Sequence, residues 1–171
     1  EKTYKAFQDR YKSLGLKRPG PAQRLDAAKV EFTRVTQQFF GMLDSVNLCH
    51  FVWGPSWPLY GPEQATDLVK AVTGWDVTLQ ELLEVGERRV NMMRAFNARE
   101  GIARDQDKLP AKFFERPLSG GPSDGVKVDK AEFEAALAEY YQQCGWDDNG
   151  IPQRETLERL GLDWVADQLG I

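Results

Sequence analysis

Between Arg24 and Leu43, apolar residues recur every three or four positions: Leu25, Ala28, Phe32, Val35, Phe39 and Met42. Those steps match the turn of an α-helix and gather the side chains into one buried stripe. A strand would need alternation with period two, because successive residues face opposite sides of a sheet. No such alternation of any length occurs along the chain. The expected fold class is therefore all-α, an irregular multi-helix arrangement with long ordered loops.

Further segments repeat the pattern. A helix of about three turns is expected over Glu63 to Val72, after the turn-rich stretch 53-WGPSWPLYGP-62. The strongest helix lies in 78-TLQELLEVGERRVNMMRAFNAREG-101. Thr78 and Glu81 have capping-box spacing, and Gly101 suits the C-terminal end. Leu79, Leu82, Leu83, Gly86, Val90, Met93 and Asn97 fall on one face. A mid-helix glycine costs about 1 kcal/mol against alanine, so Gly86 implies a second backbone packed against it. The segment 105–129 carries Pro110, Pro117, Pro122, Gly120, Gly121 and Gly125 and reads as a long connection with a short hairpin near Gly125–Val128. Asp129 and Glu132 repeat the cap spacing, and Phe133, Ala136, Leu137, Tyr140 and Cys144 line the next helix, which Gly145 ends. Pro152 suits the first turn of a further helix, and 163-DWVADQLG-170 closes with another.

At 171 residues the chain can bury a core without staples. Its net charge of −4 argues against a nucleic-acid backbone binder. No apolar run approaches the roughly 20 residues of a membrane span, and no leader pattern is visible. Two cysteines, Cys49 and Cys144, make no disulfide framework, so both read as reduced thiols of a cytoplasmic protein. The chain opens with Glu1, which suits a fragment, a processed piece or a subcloned domain.

Most familiar site chemistries are excluded. The stretch 145-GWDDNGIPQRET-156 fits the inner positions of a calcium loop, but Gly145 and Thr156 stand where carboxylates are required. The G-x-S-x-G match 121-GPSDG-125 has no strand pattern leading into it and no evident His–acid partnership, and 119-SGGPSDG-125 lacks the lysine and flanking strand of a phosphate loop. The single histidine, His50, reads first as a residue with a satisfied hydrogen bond; next to Cys49 it also leaves a metal reading open, though this chain alone offers no zinc ligand set. Charge clusters such as 87-ERR-89 read as solvated helix faces, with phosphate or interdomain contacts as the alternative. Cys144 sits on an apolar stripe and reads as an inert buried thiol. Cys49 follows a helix end beside polar residues; it is either structural or the one ligand that completes a cluster built mainly elsewhere.

Four stretches in order, 44-DSVNLCHF-51, 71-AVTGWDVTLQELLEVGERRVNMMRAFNAREG-101, 105-DQDKLPAKFFERPL-118 and 139-EYYQQCGWDDNGIPQRETLERLGL-162, resemble the carboxy-terminal part of the tungsten-containing aldehyde:ferredoxin oxidoreductases. The resemblance covers about Ala28 to Leu162. It implies that residues 1–171 are a carboxy-terminal helical region of a larger oxidoreductase, with a sub-boundary near 102–128 and an amino-terminal pterin-binding domain outside this sequence. In that family an Asp-x-x-Gly-Leu-Cys signature holds both cofactors. Carried over by position, Cys49 would be the fourth thiolate of a four-iron four-sulfur cluster. Asp44 would bond the pterin amino groups of a tungsten (or molybdenum) bispterin. The backbone around Asn47 and Leu48 would line the pocket. The implied partners are that amino-terminal domain, a ferredoxin-type electron carrier and a small aldehyde substrate, with no nucleic acid and no membrane.

The sequence departs from the family at two motif positions. Asn47 replaces the signature glycine, and asparagine is the side chain best suited to keep a left-handed backbone there. Lys112 replaces a family arginine, losing its fork but keeping the charge. The family's other three cluster cysteines and its active-site Glu and His lie upstream of the signature, so the 171 residues alone would be inactive. Trp53, Trp57 and Tyr60 are candidates for a substrate-channel wall or for packing on a neighbouring domain. Arg88, Arg94, Asn97 and Arg99 are expected to form their helix's own hydrogen-bond network in preference to interdomain anchors. Two other readings stand beside the aldehyde oxidase: a non-catalytic helical binding or scaffold domain derived from the family, and a related bispterin reductase of aromatic acyl or carboxylate substrates.

Overall fold

A computed structural model describes residues 2–17, 24–54 and 59–171. Its α-helices are α1 (Lys2–Ser13), α2 (Ala27–Ser45), α3 (Pro62–Thr73), α4 (Leu79–Arg99), the single turn α5 (Lys112–Glu115), α6 (Lys130–Cys144), α7 (Arg154–Arg159) and α8 (Asp163–Leu169). The fold is all-α; among the described residues only two isolated backbone bridges, Trp53 with Tyr60 and Trp146 with Pro152, resemble strand pairing. No helix among them is long and apolar enough to cross a membrane.

The helix starts follow the side-chain chemistry. Asp26 accepts from the Lys29 N–H at 3.0 Å and opens α2. Thr78 and Glu81 form the reciprocal capping box of α4, and Asp129 accepts from the Glu132 N–H at 2.9 Å to open α6. Each such cap supplies an acceptor that the first helical turn otherwise lacks, worth about 1 kcal/mol.

The central contact is α2 against α4, with α6 packed on α2. At the crossing Gly41 faces Gly86. A Cβ on Gly86 would stand 1.8 Å from the Gln38 carbonyl oxygen and 2.8 Å from the Met42 nitrogen, so no other residue fits. The backbone approach implied by Gly86 is therefore present. Around it Phe39, Met42 and Leu43 are completely buried and pack with Leu82, Leu83, Ala65 and Val69, in a core that the turn after α1 closes with Leu14 and Leu16. A second core joins Ala95 of α4 to Leu157, Leu160, Leu162, Val165 and Ala166 of the last two helices. A third, smaller cluster gathers Tyr141, Cys144 and Trp146.

Several expectations need correction. The apolar stripe of α4 holds only as far as Gly86: beyond it Asn91, Arg94 and Ala95 turn inward, and Met93 is 53% exposed. The reason is that this half of α4 is covered by polar contacts, which apolar spacing cannot register. Leu25 and Ala28 are exposed, and Val30 takes the inward position at the start of α2. The hairpin near Gly125–Val128 is instead a closed loop, in which the Leu118 N–H donates to Val126 and the Gly125 N–H to Leu118, without a strand. Pro152 lies just before α7, whose N-cap is Gln153.

Gly86→Ala should cost about 3 kcal/mol or prevent folding, since overpacking here meets backbone atoms that cannot yield. Gly41→Ala, whose Cβ would meet the Gly86 carbonyl at 3.0 Å, should cost less. Chemical denaturation of the two variants checks the order.

Candidate functional site

Helix α2 ends in a way that organises the whole 44–50 segment. The Leu48 N–H donates to the Leu43 carbonyl at 2.8 Å and the Asn47 N–H to the Asp44 carbonyl at 3.3 Å. This is the paired closure of a helix C-terminus that needs a left-handed residue between the two donors. Asn47 supplies it with φ +60°, the one non-glycine residue with positive φ among those described. The asparagine thus keeps the backbone shape that a glycine would give, while Leu48 packs its side chain on the first core. The spacing Asp-x-x-Asn-Leu-Cys is in this sense a helix-termination pattern: the acid sits in the last turn and the thiol just beyond the closure.

Asp44 and Cys49 are both exposed. The Cys49 carbonyl accepts from the Val52 and Trp53 N–H groups, each at 3.0 Å, which turns the chain sharply after the thiol. His50 folds back over the helix end. Its Nε2 lies 2.8 Å from Asp44 Oδ1, and its ring centroid lies 4.8 Å from that of Phe40. The second carboxylate oxygen, Oδ2, lies 3.0 Å from Arg89 Nη2 of α4. His50 thus sits beside an acid and against an aromatic ring. Trp53 stacks on Tyr60 at 4.9 Å; Trp57 lies outside the described residues.

Beside Asp44 opens a cleft of about 550 Å³, bounded by Phe40, Arg89, Met93, Lys108 and Leu137 among others. At its inner end a polar cluster binds four segments together. Arg94 is buried, grips Asp107 with both terminal nitrogens, at 3.1 and 2.5 Å, and donates from Nε to the Gly150 carbonyl. Tyr141 donates its hydroxyl to the same Asp107 carboxylate. The Trp146 indole donates to Asn91 at 2.8 Å, and Arg94 lies 5.0 Å from the centre of the Trp146 ring. Gly150, at φ +73°, has no room for a Cβ, which would stand 2.1 Å from Arg94. Burial raises the pKa of Asp107, but the hydrogen bonds from Arg94 and Tyr141 and the charges of Arg94 and Arg104 outweigh it, leaving the carboxyl below its ordinary range. Burial, reinforced by Asp107, pushes Tyr141 up to about 12.

The motif arginines are thus bonded within this chain, but mostly outside their own helix. Arg88 donates to the Leu160 carbonyl at 2.7 Å, Arg94 reaches Asp107 and Gly150, and Arg99 pairs with its neighbour Glu100. The carbonyl of Asn97 accepts from Ile102. Within the 87-ERR-89 cluster, expected to be a solvated face, Glu87 pairs with Arg159 and Arg89 reaches Asp44. A signal in the sequence is the place of Arg89 three residues beyond Gly86, as Asp44 lies three beyond Gly41.

Among the described residues no three His, Cys, Asp or Glu side chains gather to hold a metal. Burial pushes the Cys144 thiol up to about 11. Cys49, by contrast, is an exposed thiol.

The family profile described as aldehyde ferredoxin oxidoreductase, domains 2 and 3, matches residues 2–162. The chain belongs to the aldehyde ferredoxin oxidoreductase family. It is 37% identical over 137 residues to the tungsten-containing aldehyde ferredoxin oxidoreductase of Pyrococcus furiosus, covering 78% of this chain and 21% of that one. The corresponding protein of Pyrococcus horikoshii is 34% identical over 137 residues, covering 79% and 21%. A Pyrococcus furiosus aliphatic sulfonate oxidoreductase, WOR-like subunit, is 32% identical over 125 residues, covering 70% and 19%. The chain spans about a fifth of the length of these relatives. Among solved structures, the active site complex BamBC of benzoyl coenzyme A reductase with 1,5-dienoyl-CoA superposes with a TM-score of 0.63 and 26% identity, covering 81% of this chain and 20% of that one.

Removing the half-buried carboxylate of Asp107 should be costly because it strands the buried Arg94. Asp107→Asn should lower stability by about 3 kcal/mol at neutral pH. A carboxyl depressed on folding stabilises above its unfolded pKa, about 4, and that contribution fades as pH falls through the still lower folded value. Thermal melts from pH 7 to pH 3 should therefore show a constant gap between wild type and variant that closes only below about pH 4.

Proposed function

We propose that this chain is the helical carboxy-terminal portion of a tungsten or molybdenum bispterin oxidoreductase. In this reading residues 1–171 serve an amino-terminal pterin-binding domain of the same protein, with 102–128 as an internal sub-boundary. Cys49 supplies one thiolate to a four-iron four-sulfur cluster, and Asp44 accepts N–H bonds from the pterin edge, with the backbone of Asn47 and Leu48 alongside. The observation that carries the reading is the end of α2: a left-handed Asn47 turns the chain so that an acid and a thiol from one helix terminus are both exposed. Family membership then supplies the cofactors such a pair would meet.

When bound, the bispterin metal supplies the two-electron chemistry and the cluster single-electron transfer. What this chain contributes is placement. Asp44 presents acceptors to a donor edge, and Cys49 sits beyond a fixed turn, so its position is set by the helix. The whole enzyme oxidises an aldehyde to a carboxylate and passes electrons to ferredoxin or a similar carrier. The free thiols Cys49 and Cys144 support a reducing, cytoplasmic setting. A second reading, a bispterin reductase acting on an aromatic acyl substrate, draws support from the benzoyl coenzyme A reductase neighbour.

Elemental analysis of the native protein, purified anaerobically, tests the reading. About four irons with one tungsten or molybdenum per chain are expected; a protein with neither metal sinks the proposal. Cys49→Ser should lose the cluster's iron while the helical circular-dichroism signal stays unchanged.

A further inference from the structure

Asp44 is placed where helix electrostatics disfavour it. It lies in the last turn of α2, beside carbonyls that carry the negative end of the helix dipole, and that turn has no basic residue. Two donors from elsewhere meet it instead. Arg89 reaches Oδ2 from α4 and His50 reaches Oδ1 from the turn after the thiol. All three side chains are between a third and a half exposed, and ion pairs so exposed add little to stability. Their effect is on orientation. The two nitrogens face different oxygens, so rotation of the carboxylate would disturb both contacts.

The clamp is itself rigidly mounted. Arg89 stands three residues beyond Gly86, where α4 touches α2 backbone to backbone. His50 is backed by the Phe40 ring, one turn before Asp44 on the same helix. A carboxylate offers about four lone-pair sites. With one contact on each oxygen, the carboxylate, 38% exposed, keeps acceptor capacity on both oxygens for a ligand with two N–H groups on one edge.

We infer that Arg89 and His50 are positioning residues that hold Asp44 in one orientation, so that it receives a two-donor N–H ligand, the amino-pyrimidine edge of a pterin. The inference rests on the proposed role of Asp44. It assigns work to two side chains that the cofactor itself need not touch. It also makes the crossing of α2 and α4 part of cofactor retention, because displacement of α4 would withdraw Arg89.

The native protein with its cofactors provides the test, in the variants Arg89→Met, Arg89→Lys, His50→Ala, His50→Gln and Asp44→Asn. Tungsten (or molybdenum) and iron per chain are followed during prolonged dialysis, together with the thermal midpoint. Arg89→Met and His50→Ala should lose the pterin metal about tenfold faster, the lower end of what outer-shell partners contribute. Iron content and thermal midpoint should not move. Arg89→Lys and His50→Gln keep a donor of similar reach and should recover most of the retention. If Asp44→Asn sheds the metal while Arg89→Met and His50→Ala keep it, the clamp is dispensable and the inference falls alone. If Asp44→Asn keeps the metal, the role of Asp44 fails first. Parallel loss of both metals and of the thermal midpoint in Arg89→Met would make Arg89 a structural residue and overturn the inference.

Discussion

The close approach of α2 and α4 at Gly41 and Gly86 is the constraint on which the other features depend. With the Gly86 α-carbon against the Gln38–Met42 backbone, the two helices have no freedom to slide, because any side chain at that point would collide with main-chain atoms. The apolar residues on either side, Phe39, Met42, Leu82 and Leu83, then interlock around a fixed point. Everything carried at the end of α2 inherits this precision. The loss of helix propensity at two glycines, about 1 kcal/mol each, is small against the burial they permit.

Two polar clusters flank the crossing and differ in kind. Around Arg94, each strong group has its partner inside the chain: both forks of the guanidinium meet Asp107, and Tyr141 and Gly150 complete the set. Such a cluster is paired within the chain and joins α4, the 104–109 segment, α6 and the 146–150 turn. Around Asp44 the carboxylate is met at two points and stays 38% exposed. The contrast between a closed and an open arrangement is what separates a structural network from a candidate binding edge, although both contain an acid between an arginine and a neutral or basic donor.

The features legible in the sequence were those set by local physics. Thr78 with Glu81 and Asp129 with Glu132 announce their helices because a cap is decided within four residues. Gly86 announced a backbone contact because a glycine inside a strong helix is otherwise unfavourable. Asn47 could be expected to be left-handed only because it stands where the resembling family has glycine, asparagine being the side chain that best tolerates that backbone. The half of α4 beyond Gly86 was not legible, since its inward residues Asn91 and Arg94 are polar and their partners Trp146, Asp107 and Gly150 lie 13 or more positions away. For the same reason the site was half visible. Asp44, Asn47 and Cys49 belong to one contiguous stretch, whereas Arg89 comes to Asp44 only through the packing of two helices.

The network around Arg94 changes what the connection between α4 and α6 is. Surface loops ordinarily accept inserted residues, because few buried contacts depend on their length. The stretch from Arg104 to Asp107 has no regular helix beyond one short turn, yet it donates to the Asn149 carbonyl and anchors Arg94 and Tyr141 through Asp107. Its length is therefore as strictly fixed as that of a core element. The turn at Gly120 and Gly121 is different in kind, since an added Cβ at either glycine would meet no neighbouring atom within 4 Å.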